Sequence, residues 1–305
     1  MKIERREFLE TAVAGTAGVM VAGLPDVVQA GPPKKSKSKA TDPTAIVPLG
    51  KCLKTTRIGF GTGMAGWMRR TNQTKLGREV FEDLLAYCYD QNVRMFDLAD
   101  LYGTMPYAGR ALKSKPRESF TLVTKIWPHP KGLPETERPE AEACVKRFLK
   151  ECQTDYLDLV QIHCVQKPDW PKKFRGYMDG LEKCKERGLI RAHGVSVHSL
   201  DALKVAAEEP WVDAIHARIN PFQHRTDGPM DQVAPVLKKV HKAGKGIIAM
   251  KLIGEGKFDA KQRAETLKFA MDLGCVDVMI VGFEKKAEVD DFKKRVTQRL
   301  AAMSG

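Results

Sequence analysis

From about Leu53 onward the chain alternates between two textures. Short apolar runs stand at "TRIGFG" (56–61), "RMFDLA" (94–99), "FTLVTKI" (120–126), "LDLVQIH" (157–163), "RAHGVSVH" (191–198), "VDAIHARI" (212–219), "KGIIAMKLIG" (245–254) and "DVMIVGF" (277–283). Their continuous hydrophobicity predicts strands of a parallel sheet buried on both faces. Between them the apolar positions recur at helical spacing: 78–93, 139–153, 174–188, 199–209, 231–244, 260–274 and 285–296, with a short helix around 109–113. Gly188, Gly244 and Gly274 stand where helices stop.

Regular alternation of strand and helix without an internal linker predicts one α/β domain, a (β/α)₈ barrel over residues 51–305. Such barrels react at the C-terminal ends of their strands and in the loops that follow. Asp97, Lys125, His163, Ser196, His198, Lys251, Gly254 and Gly282 all fall at those ends. Polar residues therefore gather where a barrel does chemistry.

The first fifty residues do not share the pattern. Arg5-Arg6, then Phe8-Leu9, a weakly hydrophobic Ala/Gly/Val run and the small-residue sequence Val28-Gln29-Ala30 resemble a twin-arginine export signal over residues 1–30. The run is rich in glycine and interrupted by Pro25, which argues against a permanent membrane span. The expectation is export by the twin-arginine machinery to the periplasm, with cleavage near Ala30. Residues 31–50, including "PPKKSKSKATDPT", read as a disordered linker. That linker carries part of the +13 net charge. The rest is spread over helix patterns without interleaved aromatics, which excludes a nucleic-acid surface and favours small anionic ligands. The seven cysteines form no CxxC and mostly sit in apolar segments, so they read as buried thiols.

Within "RMFDLADLYGT" (94–104), Asp97 lies inside a buried strand, where a charge needs a partner. Lys125, on the next strand, can supply it. A tyrosine hydroxyl titrates near pH ~10 in water, and a nearby ammonium lowers that value. Lys125 is thus expected to tune Tyr102 as a general acid, with His163 hydrogen-bonding a carbonyl oxygen beside it. The set suits carbonyl reduction.

The sequence "FDLADLYG", followed by "VTKIW", "LVQIH" and "GVSVH", resembles the aldo-keto reductase family from about Leu53 to Phe292. The resemblance implies a barrel that binds NADP(H), or less often NAD(H), in an extended pose. It also implies that Asp97 and Lys125 form a supporting pair, that Tyr102 is the acid/base and that His163 orients a small-molecule carbonyl substrate. Cofactor contacts are implied at Ser196, His216, Met250, Lys251, Gly254 and Gly282. Here Ser196-Val197 replaces a usual Ser-Asn, His216 a glutamine, and Met250 an aromatic residue. A basic residue for a 2′-phosphate is not evident in "GFEKKAEVDDF", although Lys285 and Lys286 are near. These departures concern the grip on the cofactor and leave the four catalytic positions untouched.

Three other readings compete. "GTGMAG" (61–66) is formally G-x-G-x-x-G, but no helix opens directly on its third glycine. A metal-dependent barrel hydrolase could draw on His163, His193, His198, His216 and His224, yet no H-x-H follows the first strand. A barrel without cofactor, serving as a binding protein, is the third. Specificity is expected from loops 63–75 and 164–174, with Trp67 and Trp170 as pocket walls or as cover for the barrel top.

Overall fold

The computed structural model describes residues 41–304; the expected signal and the first half of the expected linker, residues 31–40, lie outside them. Two short strands, β1 (Ile46–Leu49) and β2 (Leu53–Thr56), pair as an antiparallel hairpin. Eight parallel strands follow: β3 (Ile58–Gly61), β4 (Met95–Asp97), β5 (Thr121–Ile126), β6 (Leu157–Val165), β7 (Ile190–Val197), β8 (Ala214–Arg218), β9 (Gly246–Met250) and β10 (Val278–Val281). They close in chain order, β10 pairing with β3, into the barrel that the alternation predicts.

The longer helices follow the periodicity, and one-turn helices at Asn72–Lys75 and Trp170–Lys173 stand in stretches expected as loops. The short helix after β4 begins earlier, at Met105, and ends at Leu112; the last helix runs on from Lys286 to Ser304. "AAM" near its end carries no helix stop, so the pattern had no reason to break there.

The hairpin is the main feature that the apolar runs did not announce. It covers the N-terminal ends of the barrel strands, and residues 46–49, placed by sequence in the linker, are one of its strands. Leu49 is fully buried and packs with Met95, Val123, Leu159, Ala192, Ala214, Ile248 and Val278, which fill the lower lumen. Gly50 makes the turn possible. It has φ +55°, and a Cβ there would lie 2.4 Å from the backbone nitrogen of Gly246. The outer core lies between the sheet and its ring of helices, from Phe60 and Phe81 through Phe148 and Leu181 to Val296.

Candidate active site

Strand β4 ends at Asp97, and the chain then turns through one 3₁₀ turn, Asp100–Tyr102, before the helix at Met105. That turn is staked from both sides. Asp100 is buried and takes a two-pronged contact from Arg147 (3.0 and 2.7 Å) and a further one from Arg69 at 3.2 Å. Paired guanidinium–carboxylate bonds of this kind fix geometry as well as charge. Thr62, which follows β3, donates to the Asp97 carbonyl at 2.8 Å. Tyr102 is thus held in place by its own turn and by the first loop.

Gly63 and Gly66 press flat on its ring. A Cβ on Gly63 would stand 2.2 Å from the Tyr102 Cζ, and one on Gly66 2.7 Å from Cδ1. The glycines of "GTGMAG" serve close approach to a tyrosine and do not open a phosphate-binding helix.

Beneath the tyrosine, Lys125 donates from Nζ to Asp97 Oδ1 and to the Leu98 carbonyl at 2.9 Å. Both side chains are buried, Lys125 at 1% exposure and Asp97 at 3%. Burial works against the Asp97 carboxylate, but the Lys125 charge and the adjoining His216 outweigh it and hold the carboxyl below its ordinary value. Burial pulls the Lys125 ammonium down, and Asp97 opposes that pull. The expected ion pair is present.

The expected tuning of Tyr102 is not. Nζ of Lys125 lies 5.2 Å from the centre of the tyrosine ring, and the hydroxyl meets Nε2 of His163 at 3.4 Å. Burial, and after it the charges of Asp97, Cys164 and Glu255, push the Tyr102 hydroxyl well above its ordinary value. The group is a protonated phenol at neutral pH, a donor ready to give its proton. Lys125 is spent on Asp97 and Leu98, which is why it does not act as a free cation toward the phenol. His163 is driven well below its ordinary value by burial, then by Lys125 and the surrounding histidines. It is a neutral ring.

Tyr102 and Asp97 face a cleft of about 70 Å³ that Met250, Lys251 and Gly282 also line. Three of the six expected cofactor positions therefore reach the site. The other three do not line it. Ser196 is fully buried, its hydroxyl accepting from the Cys164 backbone at 2.9 Å. Gly254, at φ +57°, shapes the loop against Phe258. His216 is fully buried in the lumen.

Sequence reasoning missed four contributors. Asp100 was hidden by its neighbour Asp97 in the same short stretch. Glu255 lines the cleft and binds Lys251 (2.6 Å) and Arg225 (3.1 Å). Trp127 and His129 follow β5 and flank His163, with the Trp127 ring edge-on to it at 5.3 Å and to Trp67 at 5.6 Å. The "KIW" stretch carried that signal. Trp67 joins this aromatic wall, whereas Trp170 is a core residue at 1% exposure.

The cleft runs into a second cavity of about 490 Å³ between β10 and the last helix. Met64, Leu252, Ile253, Glu255, Val281 and Gly282 line both. An elongated ligand with one end at Tyr102 fits this continuous path. Among the described residues, no three or more His, Cys, Asp or Glu side chains are grouped to hold a metal ion. His193 faces away from the lumen and stacks on Trp211 at 4.2 Å.

The family model for the Aldo/keto reductase family matches residues 57–273. The chain belongs to this family. It is 25% identical over 223 residues to "Probable aldo-keto reductase 1" of Glycine max, covering 70% of this chain and 61% of that one. It is 31% identical over 163 residues to an aldo-keto reductase of Mycobacterium avium, covering 50% and 53%. The alignments thus span little more than half the length of these relatives. A Pseudomona aeruginosa chain described as an aldo-keto reductase superposes with a TM-score of 0.69 at 23% identity, over 87% of this chain and all of that one. That likeness supports the barrel. As a family member the chain carries the four expected catalytic positions in one place.

Proposed function

We propose that the protein is a nicotinamide-dependent oxidoreductase interconverting an aldehyde or ketone and its alcohol. The observation that carries this reading is the Tyr102 hydroxyl, 3.4 Å from His163 Nε2, at a cleft that Asp97 also lines with Lys125 bound to it. A nicotinamide, when bound, supplies or accepts the hydride. The chain's own residues handle the proton. Tyr102 gives its hydroxyl hydrogen to the carbonyl oxygen as the carbon is reduced, and takes it back in oxidation. His163 lies next to the same oxygen and hydrogen-bonds it. Lys125, bound to Asp97 and the Leu98 carbonyl with its Nζ 5.2 Å from the ring centre, holds the floor beneath Tyr102.

The second cavity fits the distal half of a dinucleotide. Gly282 stands on the wall that the two share, Lys251 lines the inner cleft, and Arg263, Lys285 and Arg295 line the outer cavity. Four carboxylates, those of Glu255, Glu284, Glu288 and Asp291, line it as well, and Asp291 holds Arg295 at 2.6 Å. The resemblance implies NADP(H); this charge pattern supports NAD(H) equally, because the four carboxylates beside Arg263, Lys285 and Arg295 offset the attraction of a 2′-phosphate. The N-terminal sequence supports export to the periplasm by the twin-arginine machinery, and sequencing the N-terminus of protein recovered from that compartment tests it.

Fluorescence titration of the purified protein with NADPH and NADH in parallel tests the main reading. Micromolar quenching by either is expected. Turnover of a carbonyl panel is expected to fall by roughly 10²–10⁴-fold in Tyr102→Phe with cofactor binding retained. A folded sample that binds neither cofactor sinks the reading and favours a binding protein.

A further inference from the structure

His216 stands in β8, four strands around the barrel from β4 and so directly across the lumen from Asp97. Its Nε2 lies 3.1 Å from Asp97 Oδ1, the oxygen that also takes the Lys125 ammonium. The imidazole is fully buried and touches none of the cleft that Tyr102 lines. The imidazole and the Asp97 carboxylate stand at hydrogen-bond distance but out of hydrogen-bond alignment, so neither Nε2 nor Nδ1 of His216 has a hydrogen-bond partner among the described residues.

A polar ring in the lumen is costly, since Ile248, Val123 and Ile280 show how apolar side chains fill the same space. Its position has one polar beneficiary, Asp97. We propose that His216 is a positioning residue for the reaction: as a neutral ring it donates Nε2–H to Asp97, keeping the carboxylate ionised and aimed at Lys125 while the proton moves at Tyr102. The role rests on Tyr102 being the proton donor. The charged and titratable groups around the imidazole are Asp97 from β4, Lys125 from β5, His163 from β6 and His198 from β7. Burial lowers the His216 pKa, which keeps the ring neutral and leaves the Asp97–Lys125 pair its own charges.

The consequence is a pH dependence that a mere packing role lacks. Without the N–H, Asp97 takes up a proton at higher pH, because a carboxylate that loses a hydrogen-bond donor is less stabilised as the anion. In His216→Leu the acid limb of the kcat profile should move toward neutral by about one pH unit, with KM for the carbonyl substrate little changed. His216→Gln presents an amide N–H at similar reach and should restore the limb. A His216→Leu limb that coincides with wild type overturns the proposal, as does a His216→Gln limb displaced as far as that of His216→Leu.

A second measurement needs no turnover. Ring ¹⁵N spectra of the wild-type protein, with His216 assigned by loss of its signal in His216→Gln, should show a neutral Nε2–H tautomer from pH 5 to 8. An Nδ1–H tautomer, or titration within that range, overturns the pairing even if the enzyme is active. If the spectra agree and no carbonyl is turned over, the pairing stands, and it is the oxidoreductase reading that fails.

Discussion

The two ends of the barrel are built on opposite terms. At the floor, the lower lumen is closed by Leu49 of the hairpin and by a layer of aliphatic side chains with no charge among them. At the mouth, the same lumen holds a lysine, an aspartate and two histidines, nearly all without exposure. The backbone follows the same division. Of the ten non-glycine residues with positive φ among the described residues, eight (Ala65, Met68, Arg69, Cys164, Gln223, Arg225, Lys251 and Glu255) lie at or beyond the C-terminal ends of barrel strands, and two, Asn92 and Gln153, lie at the other end. Such conformations cost on the order of 1–3 kcal/mol each outside glycine. Stability is concentrated at one end and spent at the other, so that the reacting groups can sit where unconstrained chemistry would not leave them.

If that division is right, substitutions at the two ends should separate stability from activity. The largest effect is expected from Lys125→Met, which leaves Asp97 buried without its ammonium. It should cost about 3–5 kcal/mol of stability and abolish turnover. An unchanged thermal midpoint would count against the ion pair. At the floor, Leu49→Ala should cost about 2–5 kcal/mol and leave kcat within twofold at temperatures where the protein is folded; a large fall in kcat would show that the floor is coupled to the chemistry. Gly63→Ala at the mouth should do the reverse. The added methyl displaces the Tyr102 ring and lowers kcat by on the order of 10²-fold, with a small change in midpoint. A variant as active as wild type would mean that the loop yields and the ring does not.

The smallest effect is a slope. Burial, then the nearby Arg218 and Lys251, push His198 down to about 3, and His163 is also far below its ordinary value. Both bind a proton more readily in the unfolded chain. Stability from them is complete above the unfolded value of about 6.5 and is lost as pH falls below it, by about 1.4 kcal/mol per pH unit for each histidine. Thermal midpoints measured from pH 7 to pH 5 should drop, and His198→Asn should flatten the curve. Equal slopes in the two proteins would remove His198 from the account.

The barrel was legible because its strands are buried on both faces and written as unbroken apolar runs. The hairpin was not. "IVPLGKCLKTT" mixes lysines with aliphatics, since only Leu49 and the two threonines after Lys54 are buried. Of the site, Asp97, Tyr102, Lys125 and His163 could be read from their places at strand ends. What Lys125 does could not. Its distance from the phenol depends on which neighbours reach its ammonium first, and the Leu98 carbonyl was one that no spacing reveals. His216 was placed at the cofactor because strand ends face the mouth. In the structure its ring lies inside the lumen, 3.1 Å from Asp97 Oδ1, a neighbour that no spacing along the chain reveals. Trp170 misled for a related reason: its loop serves the mouth, but its ring turns back into the core and donates to the Ala202 carbonyl.

The hairpin has a further consequence, one of attachment. The described chain enters at Thr41, passes along the floor, where the Arg57 amide holds the Ala45 carbonyl at 3.0 Å, and only then joins the barrel. The hairpin therefore lies on the side of the barrel away from Tyr102. Fixed to a surface through the exposed Ile46 position of the hairpin, the molecule would face its cleft outward, toward the bulk solution from which a substrate arrives.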